Sequence, residues 1–174
     1  AGSRPGGTRP MRTAIDPPEK VDVLVAVATS SRVGSAASEW YADRAAMSNA
    51  ELRSTIDRDT VDAYHISPGE LEEGLAIRRQ STQDPAGSGT GGRATAGREG
   101  GPLAPELVKI RPRTLSVGAD LDRPCPPRAG GSIAAGIPDS TMEIILGSGH
   151  MLPAEKPQEL AGLVVGFLRE AATA

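Results

Sequence analysis

The stretch VDVLVAVAT, residues 21–29, is a nearly continuous run of apolar and β-branched side chains. Such a run is typical of a strand that is buried on both faces, as in a parallel sheet covered by helices. Two further runs of strand character, TLSV at 114–117 and MEIIL at 142–146, follow later in the chain. Stretches of helical character separate the three runs, so the sequence predicts an α/β architecture with a parallel sheet flanked by helices.

The predicted helices differ in how clearly the sequence marks them. The clearest begins at Pro157, and apolar side chains recur on one of its faces at helical spacing: Leu160, Leu163, Val164, Phe167 and Leu168. Residues 126–137 also have helical composition, although Gly130 and Gly131 lower the helix propensity there. SPGE at 67–70 is a capping box with proline at the first helical position, and it predicts a helix that extends to about residue 79.

The region between the first two predicted strands has less regular patterning. Residues 39–47 and 51–64 have helix-like composition with weak periodicity. Residues 83–102 contain seven glycines, which make a regular element costly, so a flexible linker is predicted there. A phosphate-binding role for these glycines is disfavoured, because no strand precedes them and no Gly-Lys-Ser/Thr follows.

Composition and charge exclude several classes of function. The 174-residue chain has a net charge of −3 with acids and bases interspersed, which argues against a nucleic-acid partner. No window is long and apolar enough to cross a membrane, and AGSRPGGTRP at 1–10 lacks the apolar segment of a secretory signal. The single cysteine, Cys125, excludes an internal disulfide and fits a reducing compartment. We therefore expect a cytoplasmic protein that binds no membrane, no metal and no cofactor.

Two loops that follow predicted strands carry groups suited to proton transfer. Asp120 and Asp122 come after the strand at 114–117, and His150 comes after the strand at 142–146. In a parallel sheet these loops lie at the same edge, where functional groups gather. A carboxylate that accepts from one ring nitrogen fixes the histidine tautomer and leaves the other nitrogen free as a base. The alternative is a surface histidine on a turn beside a solvated acidic loop, and spacing alone does not decide between the two.

A family resemblance rests on the same residues. DRPCPP at 122–127 and GSGHMLPAEKPQEL at 147–160 match the acid loop and the histidine loop of the α/β-hydrolases, and the chain from residue 110 onward resembles the last part of that fold. The resemblance implies that His150 is the catalytic histidine and Asp122 its acid. Asp120 is the second candidate acid, because Asp122 lies one residue further from the end of the strand than is usual.

The resemblance extends upstream to the 3-oxoadipate enol-lactonase branch of these hydrolases. Residues 23–46 are similar to its strand and cap entry, with RVG at 32–34 and Glu39-Trp40 at the matching places. The resemblance implies that Arg32 and Trp40 contact a carboxylate-bearing substrate. The alternative for Trp40 is hydrophobic packing within the cap.

This chain departs from the family pattern at the nucleophile elbow, where the family has Gly-x-Ser-x-Gly. Aligned without gaps, the nucleophile position of the Gly-x-Ser-x-Gly elbow falls on Arg4, with Ser3 before it and Pro5 after it. Arginine is permanently protonated and cannot attack a carbonyl, so Ser3 is the candidate nucleophile, displaced by one residue. Cys125, between two prolines, is a second and weaker candidate.

The resemblance also implies a division of the chain and two alternative functions. Residues 1–31 would form a degenerate elbow, a helix and a core strand; 32–82 a helical cap remnant; 83–102 the linker; and 103–174 the C-terminal α/β-hydrolase portion. The first function is slow hydrolysis of a small-molecule ester or lactone. The alternative is a truncated, inactive homologue that acts through binding or self-association. The expected site of self-association is an exposed apolar edge of the strand at 21–29.

Overall fold

The computed structural model describes residues 8–32, 39, 42–44, 46–47, 49–63, 68–81 and 103–173. The strands are β1 (Val23–Val27), β2 (Arg113–Ala119) and β3 (Ser140–Ile145). The helices are α1 (Thr8–Ile15), α2 (Asn49–Ala63), α3 (Pro68–Ser81), α4 (Leu103–Glu106), α5 (Pro127–Gly136), α6 (Leu152–Glu155) and α7 (Pro157–Thr173). Short 3₁₀ turns at Pro18–Lys20 and Leu107–Lys109 lead into β1 and β2.

The three strands form a parallel sheet in the order β1-β2-β3. Val23 pairs with Arg113 at one end of the β1–β2 ladder, and Ala119 pairs with Ile145 at the far end of the β2–β3 ladder. The predicted parallel sheet flanked by helices is therefore confirmed. β2 is longer than the predicted 114–117, because Gly118 and Ala119 continue the pairing with β3.

One face of the sheet packs against α7. The alternate residues Val25 and Val27 of β1 and Leu115 and Val117 of β2 form a buried cluster with Phe167 of this helix. Leu160, Leu163 and Val164 pack on the same cluster. The predicted apolar stripe of the last helix thus faces the core at these positions, but Leu168 is 42% exposed.

The opposite face packs against α1, α4 and α5. Its buried cluster consists of Met11, Ala14, Leu24, Leu103, Leu107, Ile110, Ile133 and Ile137. β1 contributes to both clusters, since Leu24 points to this face and Val25 to the other. This is the two-sided burial that a continuous apolar run predicts.

The predicted helix at 126–137 forms despite its glycines, and Gly130 has a packing role in it. A Cβ at Gly130 would lie 3.1 Å from Ser116 Oγ and 3.2 Å from Met142 Cε, so glycine lets α5 approach β2 closely. The Ser116 hydroxyl also donates to the Gly130 carbonyl, 3.2 Å away. The helix propensity lost at this position is offset by tertiary packing.

The expectation of an exposed apolar edge at residues 21–29 concerns the outer side of β1 and stays a prediction. β1 is the last strand on its side of the described sheet, but four of its side chains are buried, from Leu24 at 2% exposed to Val27 at 7%. The helices on both faces cover these side chains. The predicted linker at 83–102 lies outside the described residues, and among the described helices none is long and apolar enough to span a membrane.

Candidate active site

The strand register brings two loops together at the carboxyl edge of the sheet. β2 ends at Ala119 and β3 ends at its partner Ile145, so the chain leaves both strands at the same level. The Asp120 amide donates to the Ile145 carbonyl at 3.3 Å, and the Leu121 amide donates to the Ser148 carbonyl at 3.1 Å. These two hydrogen bonds join the acid loop to the histidine loop.

Asp122 and His150 form a buried pair where the loops meet. His150 Nδ1 lies 2.8 Å from Asp122 Oδ2 and 3.0 Å from Oδ1, and each residue is only 3% exposed. With an ionised aspartate, Nδ1 is the protonated ring nitrogen and donates to the carboxylate. Within the described part of the chain, no group hydrogen-bonds to the other ring nitrogen, Nε2, and the His150 side chain is almost fully buried.

The acid loop holds the Asp122 carboxylate in place. The backbone amide of Cys125 donates to Asp122 Oδ1 at 2.7 Å, and the Asp122 amide donates to the Ala119 carbonyl at 3.3 Å. A short N–H bond to a carboxylate is charge-assisted and stronger than a neutral one. The aspartate is therefore anchored by its own loop while it contacts the histidine.

Asp120 contacts the backbone of the histidine loop rather than the His150 ring. It is exposed, and its Oδ1 accepts from the backbone amide of Ser148 at 3.3 Å. Of the two candidate acids, the structure places Asp122 on His150 and Asp120 on the backbone of the histidine loop.

Glu155 is a site residue that the sequence analysis missed. Its Oε2 accepts from the Gly149 amide at 2.7 Å, and its Oε1 accepts from the Met151 amide at 2.9 Å. The Ser148 hydroxyl lies 3.4 Å from Oε2. Glu155 ends α6, and Met151 precedes the first residue of that helix, so the carboxylate reaches back to the start of its own helix. This contact starts from Met151 and spans four residues, so it differs from a capping box, in which a Glu or Gln three residues after a Ser or Thr makes the contact.

The bend after β1 lies at the same edge of the sheet. Ala28 has φ 44°, in the left-handed region that favours glycine, and its amide donates to the Val117 carbonyl at 2.9 Å. Strained backbone of this kind costs about 1–3 kcal/mol and clusters at functional sites. The chain turns away from the sheet here.

Of the remaining predicted site residues, Arg32 and Cys125 lie within the described ranges. Arg32 is exposed beyond the end of β1, and its carbonyl accepts from the Ser30 hydroxyl at 2.6 Å. Ser3, Arg4 and Trp40 are outside the described residues. Across the described ranges, no group of three or more histidine, cysteine or acidic side chains is placed to hold a metal ion.

Several solved structures have an architecture similar to that of this chain. Solved structures similar to the chain include an esterase of Thermogutta terrifontis, at TM-score 0.83 and 20% identity over 95% of the chain. An enol-lactonase of Burkholderia xenovorans has TM-score 0.79 and 20% identity over 97% of the chain. A hydrolase of Pseudomonas aeruginosa has TM-score 0.77 and 21% identity over 94% of the chain. No family model matches the sequence, and no curated protein matches it significantly.

These similarities define the fold class. The chain has part of the α/β-hydrolase fold, a parallel sheet flanked by helices with the acid and histidine loops at its carboxyl edge. It spans 61–64% of the length of these three structures.

Proposed function

We propose that the protein hydrolyses carboxylic esters or lactones, with His150 as the general base and Asp122 as the acid that orients it. The observation that carries the proposal is the buried contact of 2.8 Å between His150 Nδ1 and Asp122 Oδ2. It is supported by a fold that the chain shares with an esterase and an enol-lactonase.

The proposed mechanism uses the two ring nitrogens for different tasks. Nε2 of His150 takes the proton of the nucleophile as the nucleophile attacks the carbonyl carbon. Nδ1–H donates to Asp122, whose negative charge stabilises the imidazolium that forms. The imidazolium then gives its proton to the leaving alkoxide, and water attacks the acyl intermediate with the same base to release the carboxylic acid.

Ser3 is the proposed nucleophile, and its displacement from the elbow position makes slow turnover the expected behaviour. A nucleophile has to be held within hydrogen-bond reach of its base, and a shift of one residue worsens that geometry. Arg4 occupies the aligned position and has no role in the attack.

The proposed substrate is a carboxylate-bearing lactone, as the resemblance to the enol-lactonase branch implies. Arg32 is exposed beyond β1 and would pair with a carboxylate of the substrate, as the resemblance at RVG 32–34 implies. Trp40 is proposed to line the same substrate site.

Labelling with a fluorophosphonate tests the mechanism. The probe phosphonylates a serine that a histidine base has activated, and peptide mapping by mass spectrometry locates the adduct. We expect an adduct on Ser3 that is absent from the variants His150→Ala and Ser3→Ala. A folded wild-type chain that gains no adduct contradicts the serine mechanism and favours the inactive, binding-only alternative. An adduct on Cys125 or another residue contradicts the assignment of Ser3.

A further inference from the structure

Glu155 contacts the histidine loop on both sides of His150. Its two carboxylate oxygens accept separately, Oε2 from the amide of Gly149 at 2.7 Å and Oε1 from the amide of Met151 at 2.9 Å. These are the residues directly before and after the histidine. Both hydrogen bonds are short, and both have a carboxylate as the acceptor, which makes them stronger than bonds between neutral groups.

The loop has little else in its sequence to fix its conformation. It follows β3 with a Gly-Ser-Gly run, and Gly147 is in the left-handed region at φ 64°. Glycine has more backbone freedom than any other residue, so external contacts have to select the conformation that aims the imidazole at Asp122. The acid loop supplies two such contacts at Ser148, whose amide donates to Asp120 and whose carbonyl accepts from the Leu121 amide. Glu155 supplies two more, at the residues that flank His150.

We propose that Glu155 is a positioning residue, which holds the backbone of the histidine loop so that Nδ1 of His150 stays directed at the Asp122 carboxylate. The consequence for catalysis rests on the proposed function. The orientation of the His150 ring is independent of the proposed function, and it can be measured whether or not the protein turns over a substrate.

The test is proton NMR of the imidazole in the 174-residue chain. The chain has two histidines, His65 and His150, so a His65→Gln background with ¹⁵N-labelled histidine leaves one imidazole signal. A hydrogen bond to a buried carboxylate gives the Nδ1 proton a downfield resonance that exchanges slowly with water. The variant is Glu155→Gln, which keeps the size but has one acceptor oxygen instead of two. The matched control is Glu159→Gln, which removes the same charge four residues along, where the side chain is 57% exposed and pairs with Lys156.

Loss of a charge-assisted bond is expected to speed exchange of the Nδ1 proton by about tenfold or more in Glu155→Gln, with no change in Glu159→Gln. Unchanged exchange in a folded Glu155→Gln overturns the proposal, and so does equal acceleration in the two variants. If Glu155→Gln does not fold, the same measurement is made on Glu155→Asp, whose carboxylate reaches one methylene less far. Faster exchange there upholds the proposal and unchanged exchange overturns it. A chain with no hydrolytic activity but with this exchange difference refutes the proposed function and leaves the positioning role of Glu155 in place.

Discussion

At the scale of single residues, two aspartates separated by one position make different contacts. Asp122 is 3% exposed and contacts the ring of His150, whereas the exposed Asp120 accepts from the Ser148 amide. Asn in place of Asp122 presents one acceptor and one donor group to the ring, so it no longer fixes the Nδ1–H tautomer. Asn in place of Asp120 keeps an oxygen that can accept from the same amide.

We therefore predict that Asp122→Asn lowers kcat for ester hydrolysis by about 10⁴-fold, as loss of the orienting acid does in a Ser-His-Asp triad. Asp120→Asn is expected to stay within about tenfold of the wild type, because its contact is a single hydrogen bond to backbone. The measurement is kcat on a chromogenic ester for both variants. Equal losses in the two variants contradict the assignment of Asp122 as the acid.

Sequence reasoning proposed His150 and both aspartates. Spacing alone did not separate the aspartates, and the family resemblance favoured Asp122, with Asp120 as the alternative. The choice depends on the register of β2 against β3, which sets how the two loops meet, and no local sequence signal encodes that register. Glu155 was missed for a related reason. Its contacts are to backbone amides across a tight loop, and no capping-box spacing marks them in the sequence.

At the scale of elements, glycines on two helices differ in what surrounds them. Gly136 ends α5, and a Cβ there would lie 2.7 Å from Leu107 Cδ1 and 3.0 Å from Leu107 Cβ. Leu107 is itself only 2% exposed and has little room to move. A Cβ at Gly162, within α7, would meet nothing within 4 Å beyond the backbone of its own helix.

We predict that Gly136→Ala lowers the free energy of unfolding by about 1–3 kcal/mol through overpacking against Leu107. Gly162→Ala is expected to raise it by up to about 1 kcal/mol, because alanine is the better helix former. Urea denaturation of both variants measures the two changes. A neutral or stabilising Gly136→Ala contradicts the close packing of α5 on the 3₁₀ turn at Leu107–Lys109.

An ion pair joins α1 to α4. The guanidinium of Arg12 lies 2.6 Å from Glu106, and the ammonium of Lys109 lies 3.2 Å from it. The hydrogen bond from Arg12, and to a lesser extent that from Lys109, lowers the pKa of the Glu106 carboxyl below its ordinary value. A lowered folded-state pKa gives a contribution to stability that is present above the unfolded pKa and is lost as the pH falls through the folded pKa.

The expected result is that Glu106→Gln is slightly less stable than the wild type at neutral pH and that the difference closes under acid conditions. The side chains of Arg12 and Glu106 are partly exposed, so the stability difference is small and is reduced further by salt. The measurement is the urea midpoint of both proteins as a function of pH. A difference that is the same at neutral and acid pH contradicts the ion pair as its source.

The sequence predicted the elements of this fold better than their limits. Strands β1 to β3 and helix α7 were predicted, because long apolar runs and regular spacing survive into the structure. The strand ends moved by one or two residues where pairing partners, rather than local composition, set them, as at Gly118 and Ala119 of β2. Two short helices, α4 and α6, lack a periodic pattern and were not predicted.

At the scale of the whole molecule, the described sheet ends at β1 on one side and at β3 on the other. The outer edge of an end strand is a template for pairing with another chain. Because the side chains of β1 are buried, pairing would involve its backbone rather than an apolar surface. We expect self-association through this edge, seen in gel filtration as an apparent mass above the 17.9 kDa of one chain. Elution as a monomer at all concentrations contradicts it.

The structure describes the acid–histidine pair, Asp122 and His150, but not the proposed nucleophile, Ser3. The nucleophile depends on residues 1–7, which lie outside the described part of the chain, and on a position where arginine replaces the expected serine.

The central claim is that His150 is the base of an ester- or lactone-hydrolysing site, and the rate of p-nitrophenyl acetate hydrolysis tests it most directly. The comparison is between the wild type, His150→Gln and His65→Gln, the last being the matched control at the only other histidine. With all three shown to be folded by circular dichroism, we predict that kcat/KM falls by about 10²–10⁴-fold in His150→Gln alone. A wild-type rate no higher than that of His150→Gln contradicts the claim.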